Sequence, residues 1–134
     1  MFEQALFEYI EANFTVSGYT LGFGFGNVLE DTKNPYIAQF VLDSDGTRQT
    51  VCDDNSYTKG GESFVQWNVY SQSSTNAFKI KRELDKFIAE IRSLTFGGDD
   101  YKIFINNKGS SPVGQFSNGL NLEILTKTFN YEVI

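Results

Sequence analysis

The chain has 134 residues, 40% of them hydrophobic and 16% aromatic, and a formal net charge of −6 at pH 7. This length suits a single domain over residues 1–134, with a core large enough to need no covalent staple. The acidic balance argues against sequence-specific or wrapping contact with nucleic acid, which depends on Lys and Arg neutralising phosphates.

The lone Cys52 excludes an internal disulfide and points to a reducing compartment. The N-terminus Met1-Phe-Glu-Gln lacks the basic start of a secretory signal, and no apolar run approaches the ~20 residues of a membrane span. The charge is divided unevenly. Residues 1–62 carry ten acids against three bases (−7), and residues 63–134 carry seven against eight (+1). Solvated faces explain such a division, and so does a head-to-tail subunit contact of acidic on basic surface.

In chain order, Phe2 to Asn13 reads as a short helix with Phe2, Leu6, Tyr9 and Ile10 inward and Glu3, Glu8 and Glu11 outward. Ser17-Gly18 interrupts the chain before Tyr19 to Gly26. There Tyr19, Leu21, Phe23 and Phe25 alternate with Thr20, Gly22, Gly24 and Gly26, as in a strand with one apolar and one nearly bare face. A dinucleotide-binding glycine loop fails on context, because a polar loop ending at Pro35 follows where a helix should open. Tyr36 to Leu42 is apolar enough for a central strand. Asp43-Ser-Asp-Gly46 is a turn signal, and Thr47 to Cys52 is the expected hairpin return. Asp53 to Gly61 reads as a polar loop.

The strongest pattern runs from Ser63 to Leu94. Val65, Trp67 and Val69 alternate with Gln66 and Asn68, as in a half-buried strand. Gln72 to Asn76 supplies helix-capping side chains. From Ser74 to Ser93, Ile80, Leu84, Phe87, Ile88 and Ile91 form one apolar stripe, with Lys79, Lys81, Arg82, Asp85, Glu90 and Arg92 off it. Phe96-Gly-Gly-Asp-Asp100 is expected to stop this helix. Tyr101 to Ile105 is a further strand, Asn106 to Gly119 a long polar loop holding Pro112, and Leu120 to Val133 resumes strand alternation.

Catalytic chemistry is poorly supplied. There is no histidine, which removes the commonest general base and metal ligand, and one cysteine cannot form a Cys–His pair. The acid pairs Asp43/Asp45, Asp53/Asp54 and Asp99/Asp100 sit in turn contexts where acids are ordinary. The expectation is no enzyme, no metal site and no cofactor, with the protein's work done by its surfaces.

The order helix, strands, Trp67 strand, long helix and closing strands resembles the tail-terminator (tail-completion, head–tail joining) proteins of long-tailed bacteriophages. The local likeness lies in Phe64-Val-Gln-Trp-Asn-Val-Tyr-Ser71 followed by Ala77-Phe-Lys-Ile-Lys-Arg-Glu-Leu84. The Gly22/Gly24/Gly26 strand has no place in the family pattern. The resemblance implies an α+β domain: an antiparallel or mixed sheet, with a short N-terminal helix and one long helix packed on it. It also implies a homo-hexameric ring at the head-proximal end of the virion tail, assembled in the host cytoplasm, which meets the tail tube protein and the head–tail connector protein. A ring that passes DNA without gripping it should be acidic inside. On this reading Asp43, Asp45, Asp53 and Asp54 are candidates for a lumen or subunit-contact surface. Lys108, Pro112 and Phe116 are candidates for a docking loop.

The competing expectations are a head–tail adaptor or minor capsid subunit, and a small cytoplasmic ligand-binding domain. An enclosed apolar cavity would favour the ligand-binding domain. An open sheet edge or exposed apolar patch would favour assembly.

Overall fold

The computed structural model describes residues 2–26, 34–51, 57–96, 99–106, 115–117 and 120–133, with backbone alone at 43–51, 57–60, 96, 99, 104–106, 115–117, 120 and 133. Its helices are α1 (Phe2–Asn13) and α2 (Ser74–Ala89). Its strands are β1 (Gly22–Phe25), β2 (Tyr36–Val51), β3 (Tyr57–Ser71), β4 (Ser93–Phe96), β5 (Asp99–Asn106), β6 (Gln115–Ser117) and β7 (Leu120–Val133). The order across the sheet is β1-β2-β3-β7-β5-β4, with β6 beside β7. β1 runs parallel to β2, whereas the other described pairings are antiparallel. The protein is therefore α+β with a mixed sheet, which curls into a half-barrel.

Several boundaries differ from the sequence expectations because ladder pairing overrides a local signal; the expected loop Asn106 to Gly119, for one, contains β6 beside β7. Asp43-Ser-Asp-Gly46 does not turn the chain. β2 runs through it to Val51, pairing with β3 from Tyr36↔Tyr70 to Val51↔Tyr57. The turn signal survives as register shifts between Val41 and Asp43 and between Asp45 and Arg48, where extra residues bulge without ending the strand. The expected loop up to Gly61 is likewise strand from Tyr57 onward, and β7 pairs with β3 as far as Lys59↔Val133. Finally, α2 stops at Ala89. Ser93, expected as the helix's end, instead opens β4, which pairs antiparallel with Asp99 to Lys102, so Asp99 and Asp100 of the expected helix stop are strand too.

α2 starts where its cap predicts. Ser73 is extended (φ −112°, ψ 127°), and its hydroxyl accepts from the Asn76 amide at 3.4 Å. Its stripe is buried at Ala77, Ile80, Leu84 and Ile88. Alternate positions of the sheet answer it: Ile37 on β2, Val65, Trp67 and Val69 on β3, Leu125 and Phe129 on β7, and Ile103 on β5 belong to the same buried cluster. α1 adds Phe2, Ala5, Leu6 and Ile10 to that cluster. Rings run through it in sequence. Trp67 meets Phe129 edge-on at 6.0 Å, Phe129 meets Phe2 at 5.6 Å, and Phe2 stacks on Tyr131 at 4.3 Å with planes 5° apart. The opposite face of the sheet keeps a smaller cluster of Tyr36, Ala38, Tyr70 and Leu122, flanked by Phe40 and Ile124.

Glu3 departs from its expected outward position. It is buried beside β2 and β3, and its carboxylate accepts the Ser63 hydroxyl at 3.0 Å. Its main-chain carbonyl accepts from Gln39 Nε2 at 2.9 Å, and Gln39 Oε1 accepts the Trp67 indole N–H at 3.0 Å. One amide thus satisfies groups on a helix and a neighbouring strand inside an apolar layer, where an unmade hydrogen bond is costly.

Replacing Gln39 by Leu should leave the buried Trp67 N–H unpaired and remove a side-chain donor from the Glu3 carbonyl. The expected destabilisation is about 1–3 kcal/mol, from one orphaned donor plus the lost bonds, read as a lower urea midpoint at unchanged slope. A second prediction concerns alkaline pH. Burial, and then the neighbouring Tyr70, raise the Tyr36 pKa above the ordinary 10.0. The unfolded chain therefore loses this proton first, so stability should fall as pH climbs past about 10. In Tyr36→Phe that alkaline decline should be shallower, as measured by urea denaturation between pH 8 and pH 11.

Candidate interaction surface

Among the described residues, Asp and Glu side chains form no group of three or more suited to hold a metal ion. No described helix is long and apolar enough to cross a membrane. A cleft of about 340 Å³ lies where α1 passes the end of β1, lined by Gln4, Phe7, Glu8 and Phe25, with Phe7 and Phe25 edge-on at 5.5 Å. One carboxylate, one amide and two phenyl rings give it little means of orienting a substrate, since specific pockets converge several polar groups on one point.

The outer surfaces offer more. α1 contains Glu3, Glu8 and Glu11 and no basic residue, and Glu8 and Glu11 are exposed. α2 exposes Lys79, Arg82 and Lys86. Lys79 lies over the Tyr19 ring at 5.6 Å, and Lys86 stands 3.7 Å from the partly exposed Glu83. The helices meet where Tyr9 stacks on Phe87 at 5.7 Å and Phe14 tilts against the same ring at 5.3 Å. Tyr9 is 38% exposed and Phe78 50%. The exposed side chains of α1 are thus acidic and those of α2 mainly basic, and the two helices touch at the Phe87 ring.

The second surface is the edge of β2. β1 pairs with it only at Tyr36–Gln39, so among the described residues β2 has no neighbour on that side from Phe40 to Val51. Leu42, within that stretch, is 51% exposed. A long unpaired strand edge is a template for another chain.

The residues singled out from the sequence are only partly placed. Asp43 and Asp45 lie on β2, opposite Phe64 and Glu62, and their side chains are outside the described set. Asp53, Asp54, Lys108 and Pro112 lie outside the described residues altogether. Phe116 belongs to β6, opposite Asn121, with its side chain likewise outside. No described geometry brings these residues together.

The sequence reading missed an ion pair. Lys127 points to the apolar side of β7 between Leu125 and Phe129, and its ammonium reaches Asp85 on α2 at 2.6 Å. A lysine in phase with buried Leu and Phe was the available signal, because a cation there requires an acid from the facing element. Lys81, expected on the polar side, is also buried. Its four-carbon stem can cover apolar surface while the charge reaches outward.

No family model matches the chain and no curated protein matches it. One solved structure, whose name states no function, is similar over 99% of this chain and 90% of its own, at 16% identity and a TM-score of 0.47. A likeness that slight bears on neither family nor activity.

The Lys127–Asp85 pair yields an asymmetric prediction. The Lys127 side chain is 8% exposed and that of Asp85 42%. Asp85→Ala strands a buried cation, whereas Lys127→Met removes the charge and leaves an acid that water can solvate. The first should lower stability by roughly 2–3 kcal/mol and the second by less than about 1 kcal/mol. Equal losses in urea denaturation would contradict this account.

Proposed function

We propose that this protein is a structural virion subunit, a tail-terminator-like domain with both helices packed on one face of its sheet. Six copies form a ring on the head-proximal end of a phage tail tube, end its polymerisation and present a surface to the head–tail connector. The observation that carries this reading is the edge of β2 from Phe40 to Val51, which has no neighbour among the described residues, with Leu42 exposed on it. A monomeric domain that worked as a ligand pocket would gain nothing from so long an edge and would risk aggregation through it. A subunit that joins neighbours edge to edge uses it. The opposite end of the sheet offers the short strand β4, so the two ends differ and the contact is head-to-tail, the kind that closes into rings. The acidic first half of the chain, which includes β2, supports a lumen that repels DNA.

The test begins with sedimentation over a wide range of protein concentration, followed by mixing with cognate tails assembled without this protein. The expected result is a discrete six-subunit species, or a ring at one end of each tail seen by electron microscopy, with tails that then accept heads. A chain that stays monomeric, leaves both tail ends bare and does not restore head joining would overturn the proposal.

A further inference from the structure

We propose that the cleft between α1 and β1 binds an organic cation, an ammonium or guanidinium group carried on a short apolar stem. This site does not depend on the ring.

Three of the four lining residues come from neighbouring turns of α1. Gln4 and Glu8 are four residues apart and Gln4 and Phe7 three apart, so they share one face of the helix. Phe25, at the end of β1, lines the other side. The volume of about 340 Å³ accommodates a charged head with a few methylenes. Phe7 and Phe25 meet edge-on at 5.5 Å and belong to neither buried cluster, so filling the core does not account for them. In an edge-on pair, the ring that points its rim at the other keeps both of its own faces clear of that partner. An aromatic face is the negative side of the ring quadrupole and attracts cations.

Glu8 supplies the formal charge. No described hydrogen bond or ion pair engages its carboxylate or the Gln4 amide. At helical spacing Glu8 is flanked by Gln4, Ala5, Glu11 and Ala12, and α1 holds no base, so nothing within the helix neutralises it and Glu11 adds to it. A cation in the cleft meets the carboxylate and the rings at once, and the Gln4 amide oxygen can accept a further N–H. A neutral guest would forgo both attractions, and an anion would be repelled. Groups so few do not orient a molecule for reaction, but they select by charge.

The experiment titrates the full chain, followed by amide nuclear magnetic resonance, with n-butylguanidinium and with n-butylurea, a neutral molecule of nearly the same shape. Saturable shifts are expected in the first two turns of α1 and at the end of β1, with n-butylurea at least about fivefold weaker. Glu8→Gln should weaken n-butylguanidinium binding at least about fivefold. Phe7→Leu, which keeps an apolar wall without the ring, should weaken it about threefold. Glu11→Gln makes the same charge change outside the cleft and should alter binding less than about twofold. Glu8 and Glu11 are exposed and Phe7 lies outside the buried clusters, so the variants should keep the wild-type spectrum elsewhere. N-acetylarginine amide separates two sources of the cation. Binding as tight as that of n-butylguanidinium supports a basic side chain of a partner protein, and much weaker binding supports a free small cation. Equal binding of n-butylurea, equal losses in Glu8→Gln and Glu11→Gln, or no saturable shift at these residues up to about 20 mM n-butylguanidinium would overturn the proposal.

Discussion

The fold depends on burying one face of β3 in the main apolar cluster. Val65, Trp67 and Val69 are each at most 1% exposed, and Trp67 is the largest fully buried side chain among the described residues. An aromatic of this size hides roughly 150–250 Å², worth about 4–6 kcal/mol by transfer before its ordering cost is counted. That gain requires the indole N–H to find an acceptor, which Gln39 provides from the adjacent strand. Gln39 in turn reaches the first turn of α1. The register of β2 on β3, the position of α1 and the rotamer of Trp67 are therefore set by one hydrogen-bonded chain inside an apolar layer. Slipping β2 by one residue would turn Gln39 to the opposite face and leave the Trp67 N–H without its acceptor.

β7 ties the two halves of the sheet together. It pairs with β3 along its length, with β5 at its C-terminal end and with β6 at its start. Its inward side carries Leu125, Lys127 and Phe129. Phe129 continues the line of rings from Trp67 to Phe2, and Lys127 takes Asp85 from α2. Both helices are thus anchored to the same strand, one by ring packing and the other by a shielded ion pair. The curl of the sheet leaves room on its opposite face for the Tyr36–Tyr70 cluster, where Gln66, Asn68 and Tyr70 hydrogen-bond in a row.

What remains outside this core is surface of two kinds. The β2 edge offers main-chain donors and acceptors with one exposed leucine, and suits a neighbour that adds to the sheet. The helices offer exposed charge, acidic on α1 and mainly basic on α2. The cleft between α1 and β1 is thinly furnished with polar groups.

Sequence by itself determined the elements whose periodicity is long and uninterrupted. α1 spans Phe2–Asn13 as its pattern requires, α2 starts at its Ser73 cap, and the Val65/Trp67/Val69 alternation marks the buried side of β3. These signals are local, so they can be read without knowing what packs where. Tertiary structure alone decided features that depend on a partner distant in the chain. Asp43-Ser-Asp-Gly46 has turn chemistry, but a long facing strand offered it ladder hydrogen bonds and made it a bulged stretch of β2. Glu3 and Lys127 are charged and read as outward until Ser63 and Asp85 are found beside them. The candidate surfaces follow the same division. The composition of each helix was legible, but which of its residues are buried is a product of the packing, because only the partners in the shared cluster fix which side of each helix is covered.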